Sequence, residues 1–417
     1  YDWAKANVHV EQPYRLERMN ANKDKIIIEG NTATALGCIF AGCTFVAWYP
    51  ITPSSSLVES MIGYLKRLRT GPDGKGTYAV VQAEDELASI GMVIGAGWAG
   101  ARAMTATAGP GVSLMSEFVG LAYYTEIPAV IVDVQRVGPS TGLPTRTMQG
   151  DILSNATLSH GDTRHPILFP SGPEECFSMA GNAFDLAEQF QTPVFINTDL
   201  ALGMNNWMSD PLPYSDAPIR RGKVLSAADL DRLGGFARYR DVDGDGVGYR
   251  TLPGTNHPAA SYFTRGSGHN EMAQYSERPE DYVNNVDRLS RKFNSIRGAV
   301  PQPEIDVAAG ARIGMVYCGT SREACRESQE QLQREQDLPV STLRLRAYPY
   351  TRALDEFIDS HEVVYVIDQN RDGQLFQLMR LDLTLQRIQK LRSVCYYTGL
   401  PIDARTITDE ILRQEAL

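Results

Sequence analysis

The sequence predicts an α/β protein in which an open, parallel sheet domain is followed by a smaller α/β domain. The first observation behind this prediction is an alternation of short β-branched or apolar runs with longer stretches of helical period, which begins at Lys25 and resumes at Ala311. The second is the length of 417 residues with 43% hydrophobic residues, which suits two or three domains with buried cores.

The first domain is expected over residues 25–211, after an N-terminal arm or linker at 1–24 that has mixed charge and no clear period. The β-branched and apolar runs predict strands over 25–28, 44–48, 78–82, 102–107, 129–134 and 193–197. The stretches between them predict helices over 32–41, 55–68, 86–99, 112–124 and 173–189, with Asn31 as a possible cap of the first helix.

The next region, 212–302, is expected to be an irregular insertion or linker, because it is dense in Gly, Pro, Arg, Tyr and Asn and shows little periodicity. A C-terminal α/β domain is expected over 303–417. Its predicted strands are 312–319, 339–348, 362–370 and 393–397, and its predicted helices are 321–333, 373–385 and 406–412.

Charge and cysteine content narrow the functional classes. The formal net charge of −10 is spread along the chain and argues against binding to nucleic acid. Six cysteines without a CxxC spacing weigh against a zinc site or an iron-sulfur cluster held by this chain alone, and they suit a reducing cytoplasm. No run approaches the ~20 apolar residues of a membrane span. Because the chain begins with Tyr1, we expect a processed chain or part of a longer polypeptide.

Ligands of open α/β sheets bind at the carboxyl ends of the parallel strands. The predicted strand 44–48 runs into Tyr49, Pro50, Ile51 and Thr52, which form either an ordinary helix-capping junction or a rigid turn that presents hydroxyl groups. The strand 78–82 runs into three acids. Helix-dipole complementarity accounts for Glu84 and Asp85, whereas Glu86 lies where a carboxyl group can be desolvated and its pKa raised.

The strand 129–134 leads into a loop with two guanidinium groups, Arg136 and Arg146, and several hydroxyl groups, among them Thr145. Such a loop can bind a carboxylate. A surface loop with solvated arginines is the alternative.

Two further motifs have plain structural alternatives. Gly95, Gly97 and Gly100 form a GxGxxG, but the helical period before them places them inside a helix, where glycines allow close packing. Asp241, Asp243 and Asp245 resemble the start of a calcium loop, yet Leu252 stands where an EF-hand has its bidentate Glu, so a structural metal site of partial type is the most they predict. Because no clear strand leads into it, we do not interpret Gly244-Asp245-Gly246 as a diphosphate motif.

Taken together, these segments resemble the pyrimidine-binding α portion of the 2-oxoacid:ferredoxin oxidoreductases, which are thiamine diphosphate enzymes that oxidatively decarboxylate 2-oxo acids. The resemblance rests on Tyr49-Pro-Ile-Thr-Pro-Ser, Glu84-Asp-Glu-Leu, the glycine-rich segment from Gly100, Val134-Gln-Arg and Gly138-Pro-Ser-Thr-Gly-Leu-Pro-Thr, in family order. The last motif and the DVDGDG insertion look most like the 2-oxoglutarate member. The resemblance implies a pyrimidine-type thiamine-diphosphate-binding domain followed by a domain like the C-terminal domain of transketolase.

The resemblance also implies roles for the residues. Glu86 would hydrogen-bond N1′ of the aminopyrimidine, and the turn from Tyr49 to Thr52 would contact the cofactor. Thr52 and Arg136 would hold the C1 carboxylate and the 2-oxo oxygen of the substrate. Thr145 would contact the substrate, and Arg146 is a candidate for its distal carboxylate.

The same resemblance implies that several parts come from elsewhere. Mg²⁺, the diphosphate site and a [4Fe-4S] cluster are expected on a partner β subunit, with coenzyme A as co-substrate, ferredoxin as electron acceptor and a dimer of heterodimers as the assembly. Three alternatives stay open: the same chemistry on pyruvate or a branched 2-oxo acid, a non-catalytic nucleotide-binding module, and a structural partner subunit. Neither the direction of the reaction nor an additional γ domain follows from the sequence.

Overall fold

The computed structural model describes residues 1–10, 13–14 and 16–416. In chain order the elements of the first half are α1 (Asp2–Asn7), β1 (Ile26–Glu29), α2 (Gly30–Phe40), β2 (Cys43–Trp48), α3 (Ser55–Leu68), β3 (Ala79–Gln82), α4 (Glu86–Trp98), β4 (Arg102–Thr107), α5 (Gly109–Thr125), β5 (Ala129–Gln135), α6 (Ile152–Ala156), β6 (Ile167–Leu168), α7 (Pro173–Phe190), β7 (Pro193–Asp199), α8 (Leu200–Met204) and β8 (Asn206–Ser209).

The second half contains α9 (Ala227–Leu233), α10 (Pro279–Ile296), β9 (Glu304–Asp306), β10 (Ile313–Cys318), a 3-10 turn (Gly319–Ser321), α11 (Arg322–Gln336), β11 (Val340–Leu345), β12 (Ala347–Tyr348), α12 (Arg352–Asp359), β13 (Val363–Asp368), α13 (Gln374–Asp382), α14 (Leu385–Ile388), β14 (Leu391–Cys395) and α15 (Ala404–Glu415). None of the helices in the described part of the chain combines the length and the apolar character needed to cross a membrane.

The main sheet has seven strands in the order β12, β6, β7, β5, β4, β2, β3. Its strands pair in parallel except for β12, which runs antiparallel to β6. The central strands β4, β5 and β7 are buried along their whole length, because helices cover both faces of the sheet. The α/β fold class is therefore confirmed, and all six strands predicted for the first domain are present, five of them in this sheet.

Two details of the prediction were wrong. The predicted strand 25–28 does not join the main sheet, because β1 pairs antiparallel with β8 in a separate two-stranded sheet. Asn31 does not cap α2, which begins at Gly30. Its side chain is buried instead, and it donates hydrogen bonds to the Pro53 carbonyl and to Ser56, which hold the turn after β2.

The C-terminal part of the chain forms a five-stranded sheet in the order β14, β13, β10, β11, β9. The predicted strand 339–348 is divided in two. Its first part, β11, lies in this sheet, whereas β12 pairs with β6 of the main sheet. The division joins the two sheets through the backbone.

The stretch 212–302 is mostly irregular, as expected, but it contains the 18-residue helix α10, which the prediction missed. The reason is that the buried face of α10 carries Arg288 and Lys292, so the apolar period is interrupted. Both cations contact the carboxylate of Glu126, at 3.0 Å for Arg288 Nη1 and 2.8 Å for Lys292 Nζ. A buried charge cluster, in place of an apolar stripe, attaches this helix to the end of α5.

Candidate active site

The loops that follow β2, β3, β4 and β5 emerge at one edge of the main sheet. The strand register places the end of β2 beside the end of β3, through the pair Trp48 and Gln82, and the end of β4 beside β5, through Thr107 and Asp133. The predicted site residues Thr52, Glu86 and Arg136 all follow these strands. They therefore share the edge where parallel sheets bind ligands.

Glu86 is the first residue of α4, and only 5% of its surface is exposed. Its carboxyl group accepts no hydrogen bond from another described residue. Burial raises its pKa, and the negative charge of the nearby Asp85 raises it further. The capping role belongs to Asp85, whose carboxylate accepts a hydrogen bond of 2.7 Å from the Ala88 amide. Glu84 is exposed. Of the three acids, Glu86 alone is buried without a partner in the described structure.

The first turn of α5 packs directly against Glu86. A Cβ atom added to Gly111 would lie 2.8 Å from Cγ and Oε1 of Glu86 and 2.0 Å from the Thr107 hydroxyl. Only glycine leaves room for this approach, because any side chain at this position would push the carboxyl group away. The Gly-Pro-Gly segment that opens α5 thus fixes where the carboxyl group can lie.

Arg136 and Thr52 are brought together. Nη1 of Arg136 donates a hydrogen bond of 2.7 Å to the Thr52 carbonyl, while Thr52 itself is exposed. The guanidinium is buried, its Nε has no hydrogen-bond partner among the described residues, and burial lowers its pKa, opposed by the charge of Asp151. The turn that contains Thr52 is held by hydroxyl groups, since Ser54 and Ser55 donate to the Ile51 carbonyl.

Tyr49, Pro50 and Thr145 are exposed, and Ile51 is half-buried. Arg146 is also exposed, and its guanidinium donates to the neighbouring Thr145 carbonyl at 3.0 Å. Its stem packs against Gly399 of the C-terminal sheet domain, where an added Cβ would lie 3.2 Å from the Arg146 Cβ. The described contacts therefore bring Thr52 to Arg136, but they do not bring Arg146 to either of them.

The sequence analysis missed the residues that hold the far end of this loop. The backbone carbonyl of Gln149 accepts a hydrogen bond from Asn370 Nδ2 at 2.9 Å, and the backbone amide of Gln149 donates to the Gln369 carbonyl at 3.0 Å. The Gln374 side chain donates to the Gly150 carbonyl and accepts from the Leu153 amide. The available signal was the polar sequence Asp368-Gln-Asn at the end of a predicted strand, followed by Gly373-Gln-Leu.

The glycine motif lies where its helical period placed it. Gly95 and Gly97 are inside α4, and Gly100 follows the helix with φ +93°. A Cβ on Gly97 would lie 2.3 Å from the Pro128 carbonyl oxygen, so this glycine allows α4 to pack against the chain that enters β5. The motif neither follows a strand nor opens a helix, as a dinucleotide fingerprint must.

Asp241, Asp243 and Asp245 lie close together, with one carboxylate oxygen from each within 4.8 Å of the others. The ammonium group of Lys223 already contacts this cluster, at 2.5 Å from Asp243 and 2.8 Å from Asp245. A cation bound by all three carboxylates would have to displace that ammonium group. The three side chains are thus placed for a metal site but are partly neutralised without one.

Comparison with known proteins gives consistent results. The family described as "Pyruvate flavodoxin/ferredoxin oxidoreductase, thiamine diP-bdg" matches residues 36–223. The 2-oxoacid:ferredoxin oxidoreductase 2, subunit alpha, of Aeropyrum pernix is 37% identical over 376 residues, which are 87% of this chain and 57% of that protein. The 2-oxoglutarate synthase subunit KorA of Methanothermobacter thermautotrophicus is 48% identical over 380 residues, with 89% and 94% of the two chains covered.

Among solved structures, a 2-oxoglutarate:ferredoxin oxidoreductase from Magnetococcus marinus with 2-oxoglutarate, coenzyme A and succinyl-CoA bound superimposes with a TM-score of 0.87 at 31% identity. The match covers 99% of this chain and 69% of that one. The chain spans about half the length of the first curated relatives it matches, 57% and 45% of them. Since it is 48% identical to a relative that it covers almost completely, the chain belongs to the family of 2-oxoacid:ferredoxin oxidoreductase alpha subunits.

Proposed function

We propose that this chain is the α subunit of a 2-oxoglutarate:ferredoxin oxidoreductase. The enzyme converts 2-oxoglutarate and coenzyme A to succinyl-CoA and CO₂ and passes the electrons to ferredoxin, in a reaction that is reversible in principle. The observation that carries the proposal is a buried carboxyl group without a partner, Glu86, at the same sheet edge as the pair of Arg136 and Thr52.

The residues at this edge fit the pyrimidine half of thiamine diphosphate. A carboxyl group that accepts no hydrogen bond from another described residue is free to accept a ligand, and its raised pKa suits a proton shared with a ring nitrogen. Glu86 would hold N1′ of the aminopyrimidine, and the turn from Tyr49 through Pro50 and Ile51 to Thr52 would contact the ring. When bound, the cofactor supplies the electron sink for loss of CO₂.

The substrate would bind between the two loops that Arg136 links. Arg136 would hold the C1 carboxylate, because its buried guanidinium still has an unpaired Nε. Thr52 would contribute its exposed hydroxyl group to the 2-oxo oxygen. Thr145 and Arg146 lie on the same loop, and Arg146 would reach the distal carboxylate of 2-oxoglutarate. Relatives named 2-oxoglutarate synthase support this substrate over pyruvate.

The rest of the active site would come from a partner β subunit with Mg²⁺ and a [4Fe-4S] cluster. Among the described residues, the one set of acidic or thiol side chains placed to bind a metal is the cluster of Asp241, Asp243 and Asp245. That cluster does not include Glu86, Thr52 or Arg136. The exposed apolar side chains of Leu87, next to Glu86 in α4, and of Leu114 on α5 support a covered face near the candidate site. We further propose a dimer of such heterodimers in the cytoplasm, where the free cysteines would stay reduced.

The cluster of Asp241, Asp243 and Asp245 would have a structural role. A calcium-type ion would replace the Lys223 ammonium and tie the insertion together without taking part in the reaction.

The proposal is tested on the native complex purified through this chain. Coenzyme-A-dependent reduction of a low-potential viologen dye is measured anaerobically across a panel of 2-oxo acids. We expect reduction to be fastest with 2-oxoglutarate. Fastest reduction with pyruvate or a branched acid would overturn the assignment of 2-oxoglutarate as the substrate. If a complex that holds thiamine diphosphate and its cluster reduced the dye with none of the acids, the proposed oxidoreductase activity would be overturned.

A further inference from the structure

A row of buried polar side chains lies beneath the proposed substrate site. Asp133 on β5 is fully buried, and its Oδ2 accepts a hydrogen bond of 2.8 Å from Nδ2 of Asn155 on α6. The same Nδ2 lies 3.0 Å from Oδ1 of Asn197 on β7. Yet Oδ1 of Asp133, Oδ1 of Asn155 and Nδ2 of Asn197 have no hydrogen-bond partner among the described residues. Such unpaired buried atoms are costly and require a proton or a buried water to satisfy them.

Asp151 lies at the end of the substrate loop, next to this row. A Cβ atom on Gly109 would come within 2.7 Å of both of its carboxylate oxygens, so the carboxyl group lies against the first residue of the 17-residue helix α5. The Gln135 side chain accepts a hydrogen bond of 2.9 Å from the Asp151 amide and fixes its backbone. The positive end of a long helix favours the ionised form of a carboxyl group placed there.

Few charges are available to neutralise the two acids. In the described structure the titratable groups that face Asp151 are Asp133 and Arg136, and the adjacent parts of α5, α6 and α13 contribute the uncharged Gly109, Asn155 and Gln374. Two close carboxyl groups beside a single guanidinium do not both ionise readily. Burial, and then the charge of Asp151, raises the pKa of Asp133 well above its usual range. Burial raises the pKa of Asp151 to about 6, against the opposing charge of Arg136.

We propose that this pair carries one proton, on Asp133, and one negative charge, on Asp151, and that Asp151 is a positioning residue for Arg136 and for the first turn of α5. Asp133 faces the Asn155 amide and has no cation beside it, so a neutral acid suits its place. Asp151 faces Arg136 and a helix N-terminus, so an anion suits its place. Nε of Arg136 and Oδ2 of Asp151 are both buried and unpaired, and one water between them would satisfy both.

The consequence for the site rests on the proposed function. Arg136 holds the turn that contains Thr52, and the first turn of α5 packs against Glu86 through Gly111. Asp151 contacts α5 and faces Arg136. The Asp151 carboxylate would thus fix the position of the Arg136 guanidinium, which binds substrate, and of the first turn of α5, which packs against Glu86.

The matched variants Asp133→Asn and Asp151→Asn test the charge assignment without any activity measurement. A group that is protonated when folded and ionised when unfolded makes the protein less stable as the pH rises. Asp133→Asn keeps the neutral form, so we expect the thermal midpoint of the purified complex to rise by several degrees at about pH 8 and by less at about pH 5, which is nearer the pKa of about 3.9 of an unfolded Asp side chain. We expect Asp151→Asn to raise the midpoint by less at about pH 8, because the pKa of Asp151 is raised only to about 6 and the variant loses the charge that faces Arg136. The opposite pattern would place the charge on Asp133 and overturn the assignment.

Kinetics of the same variants test the positioning role. Asp151→Asn should raise KM for the 2-oxo acid about tenfold with little change in kcat, because Arg136 loses its orientation. Asp133→Asn should stay within about twofold of the wild type. An unchanged KM in Asp151→Asn would overturn the positioning role. If none of the 2-oxo acids supported dye reduction by the wild-type complex, the proposed function would be refuted. The thermal midpoints would still decide the charge assignment.

Discussion

Arg136 shows how one buried side chain can build a site from two loops. It starts at the end of β5 and reaches the carbonyl of Thr52 after β2, across the intervening strand β4. Its planar guanidinium can keep that contact on Nη1 and still offer another N–H to a carboxylate, which a lysine ammonium cannot do with the same geometry. The residue holds the turn, and in the proposed function it would position the substrate as well.

A pair of substitutions separates the two arginines of the loop. Arg136→Lys should lower kcat/KM for 2-oxoglutarate and for pyruvate alike, by about 10- to 100-fold, because the C1 carboxylate is common to both substrates. Arg146→Ala should lower kcat/KM for 2-oxoglutarate only, because pyruvate has no distal carboxylate. Steady-state kinetics with both acids measure the split. Equal losses on both acids in Arg146→Ala would remove that residue from the recognition of the distal carboxylate.

The candidate residues Glu86, Thr52 and Arg136 could be predicted from the sequence because each lies shortly after the end of a strand, and strand ends fix a position in a parallel sheet. Asp133 and Asp151 could not be predicted in this way. Asp133 is a single polar residue in an apolar strand, and the residues that give it meaning belong to α6, β7 and the end of a loop. Their proximity follows from the packing of elements far apart in the sequence.

Helix α4 shows that glycines of one motif can have different physical roles. A Cβ on Gly97 would collide with the Pro128 carbonyl, whereas a Cβ on Gly95 would meet no described atom within 4 Å. The period of the flanking apolar residues was enough to predict the helix. The same approach failed for α10, because Arg288 and Lys292 are buried there by pairing with Glu126. Pairing with a residue 162 or 166 positions away leaves no local pattern in the sequence.

Alanine at each of these two glycines is a matched test in the isolated chain. Gly97→Ala should destabilise the chain by about 1–3 kcal/mol through overpacking. Gly95→Ala should stabilise it by up to about 1 kcal/mol, because alanine favours a helix interior. Urea unfolding measures both values. Equal effects of the two substitutions would contradict the packing of α4 against the entry to β5.

At the scale of the whole molecule, the two sheets are joined close to the proposed site. β12 crosses from one sheet to the other, and Gln374 holds the loop that ends at Asp151. Glu175 on α7 accepts hydrogen bonds from Arg344 on β11 at 2.7 and 2.8 Å. Burial alone would raise the pKa of Glu175, but the hydrogen bonds and the charge of Arg344 lower it to about 2. The ion pair between the two sheets therefore weakens only as the pH falls below about 4.5 toward 2.

The joined arrangement explains why the sequence predicted the two domains more readily than their contacts. Each sheet follows from a local alternation of strands and helices. The contacts between the sheets use single polar residues, such as Gln149 and Asn370, that lie 221 positions apart. In the assembled enzyme, these contacts would let the C-terminal sheet domain hold the substrate loop in place.

The central claim is that Glu86 activates thiamine diphosphate in the assembled complex. The most direct measurement is the rate at which the C2 proton of the bound cofactor exchanges with deuterium, in the wild type and in Glu86→Gln. We expect exchange to slow by about 100-fold or more in the variant, since a positioned acid or base contributes about 10²–10⁴. The thermal midpoint should not fall, because the carboxyl group accepts no hydrogen bond from another described residue and burial disfavours its ionised form. Wild-type exchange in a variant that binds the cofactor would contradict the claim.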